Sequence, residues 1–254
     1  MRKPVVLIGV GEIGGVFARG LLRLGHPVVP LTRTMDADKA AKEVAEPEAV
    51  IVAVAENDIH AVLADMPGAW RDRLVLVQNE LLPRDWLKHH IENPTVISVW
   101  FEKKPDMDFK VLIPSPVFGP HAQLIADALG ALSIPANILT AADKLEEQLL
   151  IKNVYILTTN IAGLETGGTV SQLWSQHKNI ARAVAEDVIA IQATLVGHKL
   201  DSDKLIQGML VAFNGDPDHN CTGRSAPARL ERALKQADET GLVVAKLRNI
   251  YAQS

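Results

Sequence analysis

The chain reads as an α/β protein: a doubly wound, mostly parallel sheet followed by an all-helical C-terminal domain. Three observations carry this. Short apolar runs alternate with helical patterns from Val5 to Leu139. The first two runs enclose a G-x-G-x-x-G at Gly9, Gly11 and Gly14. From Asp143 onward the strand signals cease and helical patterns fill the rest. Strands alternating with helices imply parallel neighbours joined by crossovers.

Taken in order, Val5 to Ile8 is apolar throughout and predicts a strand buried on both faces. A helix follows with Phe17, Leu21 and Leu22 on its inner side, and Gly25 stops it. Val28 to Leu31 is the second strand, and Ala37 to Val44 a polar helix. Glu48 to Ala55 predicts a third strand, after which Glu56-Asn57-Asp58 caps a helix through Val62 and Leu63. Arg73 to Gln78 is a fourth strand, and Pro83 to His90 a helix with His89-His90 solvated on it. Thr95 to Phe101 and Phe109 to Pro114 read as strands forming a hairpin across Pro105. A helix over Pro120 to Leu132 and a strand over Ala136 to Leu139 complete the first domain. Helices are then expected over Asp143–Leu164, Val170–Val196, Asp203–Phe213, Arg224–Lys235 and Gly241–Tyr251. The domain boundary is placed at residue 141, giving 1–141 and 142–254. A cleft between two such domains, at the carboxyl ends of the strands, is where a ligand is expected.

The opening βαβ unit carries the strongest functional signal. Gly9 makes the tight turn, Gly11 lets a pyrophosphate approach the backbone, and Gly14 lets the helix pack on the strand. The N–H groups of Val10, Gly11, Glu12 and Ile13 and the positive helix end suit the phosphates. Glu12 is discordant, because a carboxylate turned inward repels a diphosphate. At the end of the second strand stand Thr32 and Arg33, where an NAD site usually has an acid. A hydroxyl and a guanidinium suit a 2′-phosphate, so the cofactor expected is NADP (NADPH). Asp36 lies close enough to serve a ribose hydroxyl instead, which would favour NAD.

Other properties narrow the class. A net charge of -4 with no Lys/Arg block argues against a nucleic-acid surface. Cys221 is the only cysteine, so no internal disulfide forms and a cytoplasmic setting is expected. No signal-peptide design or membrane-length apolar run is present. Cys221 has no activating base nearby in sequence and reads as an inert thiol. The loop Asn214–Cys221 is rich in ligand-type residues but matches no metal spacing, so no metal is expected.

Lys152 is the most informative residue after the glycines. Leu145, Leu149, Lys152, Ile156 and Asn160 share one stripe of a helix whose other side is also apolar. Such a helix is buried, and an ammonium within it must reach a cleft, a partner or a ligand. Beside a nicotinamide it can donate a proton to a carbonyl oxygen as hydride arrives. A structural partner such as Glu147 is the alternative. Asn160 lies about 12 Å further along the axis and rotated by about 80°. Asn79, at the end of the fourth strand, can bind a substrate hydroxyl or the nicotinamide ribose without adding charge.

These features together resemble the ketopantoate reductase family. The opening GVGEIGG with Arg33 is similar to its NADP site, and Gln78-Asn79-Glu80 to its (H/Q)-N-G motif. Lys152 through Asn160 resembles its K-x7-N helix, with a catalytic lysine and a substrate-binding asparagine. The resemblance implies a Rossmann domain, a helical domain of the 6-phosphogluconate dehydrogenase type, and NADPH-dependent reduction of a small 2-keto acid. It departs at Ile156, where the family has another Asn, and at Glu80, where it has Gly. The family's G-R-x-T-E segment corresponds to Gly223-Arg224-Ser225-Ala226-Pro227, with no carboxylate in the Glu position; Asp216 or Asp218 are the nearby acids. Two functions follow: a reductase of an unidentified carbonyl compound, or a non-catalytic NADP(H)-binding relative. A hydroxyacid dehydrogenase or imine-reductase-like enzyme would use the same lysine. Apolar C-terminal helices suggest a homodimer.

Overall fold

A computed structural model describes residues 2–253. By its internal contacts the chain divides into Met1–Gln148 and Leu149–Ser254.

The first unit is built on a seven-stranded sheet. In chain order its strands are β1 (Val5–Ile8), β2 (Val28–Leu31), β3 (Ala49–Val52), β4 (Leu74–Leu76), β5 (Thr95–Ile97), β8 (Ser115–Phe118) and β9 (Ala136–Ile138). Between β5 and β8 a separate hairpin pairs β6 (Phe101–Glu102) with β7 (Lys110–Val111). The spatial order is β2-β1-β3-β4-β5-β8-β9, parallel except where β8 runs against β5. The strands are apolar without alternation because both faces are covered. Val5, Leu7, Ile51, Val75 and Ile97 pack with Val16, Phe17 and Leu21 of α1 (Glu12–Arg23) and Ile125 and Leu129 of α5 (Ala122–Gly130). The alternate residues Val6, Val50, Leu74, Leu76 and Val96 face the other way and are equally buried. Gly20 makes the α1–α5 approach possible, since a Cβ there would sit 2.1 Å from the Ala128 carbonyl oxygen.

The helices of this unit's other layer are α2 (Ala37–Glu43), α3 (Ile59–Ala64) and α4 (Pro83–Leu87). Three features depart from the sequence expectation. The strand expected over Thr95–Phe101 divides into β5 and β6, the one expected over Phe109–Pro114 shortens to β7, and β8 follows as a fresh strand. Gly119 turns the chain after β8 at φ +123, with its α-carbon face against Thr95, so no side chain fits there. The segment Gly68–Arg73 is a 3-10 turn anchored by the Trp70 indole, which donates to the Val44 carbonyl oxygen at 2.9 Å. Asp58 stands at the N-cap of α3 but makes no side-chain cap bond.

The second unit contains most of α6 (Ala142–Thr166), then α7 (Val170–Gln176), α8 (Lys178–Val196), α9 (Ser202–Gly215), α10 (Ala226–Thr240) and α11 (Ala245–Gln253). The helix expected over Val170–Val196 is two helices, broken at His177, which leaves helical geometry at φ -127 and ψ 31. α8 packs against α7, α9, α10 and α11. Asn153 of α6 donates to Gln192 of α8 at 2.9 Å, and Ile151 of α6 seats on Gly208 of α9, where a Cβ would be 2.7 Å away. Among the described residues no helix is long and apolar enough to cross a membrane.

Candidate functional site

The glycine turn between β1 and α1 differs at each of its three glycines. Gly9 takes φ +91, and a Cβ on it would lie 2.5 Å from the Ala53 carbonyl oxygen. A Cβ on Gly14 would lie 2.2 Å from the Gly9 carbonyl oxygen. Gly9 and Gly14 are therefore demanded by the fold itself. Gly11 is not: a Cβ there would meet nothing within 4 Å. The space beside Gly11 is open, and α1 begins there with no side-chain cap bond. The first-turn N–H groups, which have no intrahelical acceptor, are left for an anion.

A cavity of about 700 Å³ opens beside this turn. Gly9, Val10 and Gly11 form one wall, and Thr32 and Arg33 at the end of β2 form another. Ala61, Val62, Met66 and Pro67, after β3, supply an apolar side. That combination suits a flat heterocycle joined to an anionic tail. Ile13, by contrast, packs toward the core, and Gly14 is covered by the turn.

Two acids near the end of β2 have separate employments. Asp36 caps α2, accepting from the Lys39 N–H at 3.1 Å. Asp58 accepts from the Arg33 guanidinium at 2.8 Å and lines the same cavity. The sequence suggested Asp36 as the competing acid; the structure puts Asp58 against Arg33 instead.

The Glu12 carboxylate is not unopposed. It pairs with Lys103, on the β6–β7 hairpin, at 2.9 Å. Arg19 and Lys103 line a second hollow of about 430 Å³ together with Gly11, Glu12 and Gly15. Two cations thus flank the glycine turn, and Lys103 offsets the charge that made Glu12 discordant.

At the end of β4, Gln78 is buried and structural. It donates to the carbonyl oxygens of Val52 at 2.6 Å and Val54 at 3.3 Å and accepts from the Val77 N–H. It thereby ties β4 to the end of β3 and fixes the next residue. Asn79 donates through Nδ2 to the Glu56 carboxylate at 3.1 Å, leaving its carbonyl oxygen as an acceptor. Glu80 turns at φ 63, a conformation that glycine adopts more readily.

In the second unit, Lys152 and Asn160 lie on α6 and are only 8% and 9% exposed. The Lys152 ammonium sits 5.5 Å from the centroid of the Tyr155 ring. Glu147, the structural partner considered for it, pairs with Lys144 at 3.7 Å. Tyr155 also meets the rings of Phe213 and His219, and His219 approaches Asp216 at 3.5 Å. Asp216 is buried, whereas Asp218 is exposed. Asn160 accepts from the Arg229 guanidinium at 2.9 Å, and Arg229 is itself 8% exposed. Cys221 is buried, and its thiol is pushed up to about 11, so it is protonated at neutral pH.

Sequence reasoning missed Asp58, Lys103, Glu56, Tyr155 and Arg229. Tyr155 is the one with a local signal, being three residues from Lys152 on a helix. His89 is also not simply solvated: its ring stacks on His60 with centroids 5.4 Å apart, and His60 Nδ1 lies 3.2 Å from His89 Nε2.

No family model matches the sequence, and no curated protein does. Solved structures match over nearly the whole chain. The chain is similar to the 2-dehydropantoate 2-reductase of Methylococcus capsulatus, with TM-score 0.69 and 15% identity over 98% of this chain and 95% of that one. It is similar to the PanE/ApbA family ketopantoate reductase of Ralstonia eutropha JMP134, with TM-score 0.68 and 16% identity over 98% and 96%. A D-mandelate dehydrogenase in complex with NADH matches with TM-score 0.68 and 13% identity over the same shares. The chain has the fold of the ketopantoate reductases.

Proposed function

We propose that this protein is an NADP-dependent oxidoreductase of ketopantoate reductase type that reduces a small keto acid or related carbonyl compound. The observation that carries the reading is the cradle at Gly11: open space at a helix start, continuous with a cavity that ends at Arg33. The dinucleotide's pyrophosphate would lie against Gly9, Val10, Gly11, Glu12 and Ile13, and its adenosine end against Thr32 and Arg33. Residues 1–141 would hold the cofactor, and residues 142–254 the substrate. The bound nicotinamide supplies the hydride.

The chain's own residues have separable tasks. Lys152 polarises the carbonyl oxygen and gives it a proton. Asn79 offers its carbonyl oxygen as an acceptor, while one of its two amide N–H groups is given to Glu56. Asn160 offers its second amide N–H, since its oxygen accepts from Arg229 and the first N–H is directed at the Thr159 hydroxyl at 3.4 Å.

The test is a screen of 2-keto acids and aldehydes, following NADPH absorbance, with Lys152→Ala as the diagnostic variant. Loss of turnover with retained NADPH affinity is expected. Unchanged turnover in that variant removes Lys152 from the mechanism. One observation favours the second reading, a non-catalytic NADP(H)-binding protein: α10 opens with Ala226-Pro227 where the resembled family carries its catalytic Glu. Turnover of any compound at about 1 s⁻¹ or faster ends that reading.

A further inference from the structure

We infer that Asp58 sets the choice between NADPH and NADH by opposing the 2′-phosphate that Arg33 attracts. The inference rests on the cofactor reading above and concerns the far end of the same cavity.

Three charged side chains line that cavity among the described residues: Arg33, Asp58 and Asp65. The guanidinium is therefore outnumbered by carboxylates. Arg33 is 89% exposed in its side chain and carries no other ion pair among those described, so its direction is set by Asp58 at 2.8 Å. Asp58 would ordinarily serve its own helix. An aspartate at an N-cap usually accepts from the backbone N–H two or three residues on. Asp58 occupies the N-cap of α3 and makes no such bond. Asp36, at the N-cap of α2, makes its cap bond in the ordinary way. The two aspartates differ in backbone, Asp36 being extended and Asp58 helical, and Asp58 gives its carboxylate to Arg33 across the cavity edge.

The consequences for the two cofactors are opposite. A 2′-phosphate adds close to two negative charges. It gains Arg33 but must separate that group from Asp58 and then sit beside the released carboxylate. A 2′-hydroxyl is a donor, and Asp58 can accept from it while still holding Arg33. The site therefore has both devices, an arginine for the phosphate and an acid for the hydroxyl, and each weakens the other's selectivity.

The experiment measures NADPH and NADH affinity by nicotinamide fluorescence on the full chain, native and Asp58→Asn, with Asp36→Asn as control. Asparagine keeps the shape, and Asp58 makes no cap bond to α3 that could be lost, so folding is retained. The expected result is about tenfold tighter NADPH binding in Asp58→Asn. NADH binding is unchanged or weaker, and the gain shrinks at about 1 M salt. Asp36→Asn leaves the NADPH/NADH ratio where it is. Retained cofactor binding with an unmoved ratio in Asp58→Asn overturns the inference alone. Failure of both cofactors to bind the native protein overturns it together with the cofactor reading.

Discussion

Arg229 on α10 donates to the side-chain oxygen of Asn160 on α6 at 2.9 Å, with both residues almost wholly removed from water. A hydrogen bond to a charged group in such a place is worth about 1.5–3 kcal/mol. Asn160→Ala is expected to lower stability by about that amount in urea unfolding. A loss below about 0.5 kcal/mol would show that Asn160 is not needed to hold the guanidinium.

The glycine turn separates packing from binding. Gly14→Ala places a methyl against the Gly9 carbonyl oxygen at 2.2 Å, and must move backbone. It should cost at least 1–3 kcal/mol, the range found for overpacked interiors. Gly11→Ala meets nothing within 4 Å and should leave the melting temperature almost unchanged. Its loss should appear in NADPH affinity, because the methyl would enter the space proposed above for the pyrophosphate. Equal NADPH affinity in Gly11→Ala and the native chain would remove the phosphates from this turn.

Asp36→Ala removes the cap of α2 and should destabilise by about 1 kcal/mol. NADPH affinity should not change, because the carboxylate is engaged by the Lys39 N–H. Thermal melts and fluorescence titration of the same sample check both halves.

The His60–His89 stack gives a pH dependence of known sign. Burial, chiefly, holds both imidazoles below their ordinary value; at His89 the His60 ring and then Lys88 add to this, and at His60 Lys88 does. Asp85 works in the other direction. The unfolded chain therefore takes up protons first. Stability from the neutral pair is present above the unfolded value near 6.5 and is lost as the pH falls through the lower native values. His89→Gln removes the ring whose charge His60 opposes. The stability difference between it and the native protein should narrow between pH 7.5 and pH 5, measured in parallel urea titrations. A difference constant over that range would mean the rings titrate as they do in the unfolded chain.

Some of this protein is written in local pattern. The apolar runs at Val5–Ile8 and Ala49–Val52, the glycines between β1 and α1, and the long apolar surface of α6 are local statements. Each follows from steric and solvation rules that act over a few residues, which is why the burial of Lys152 and Asn160 was expected. What the tertiary structure alone decided is which charge meets which. Arg33 and Asp58 are 25 residues apart, and Asn160 and Arg229 are 69 apart. Glu12 is met by Lys103 only because the β6–β7 hairpin brings that lysine to the glycine turn. Likewise β8 turns back against β5 through a contact at Gly119 and Thr95 that no periodicity announces. Pairings of this kind depend on strand order and on the close approach of distant backbone. Many partners are locally acceptable, and only the packed chain leaves one of them within reach.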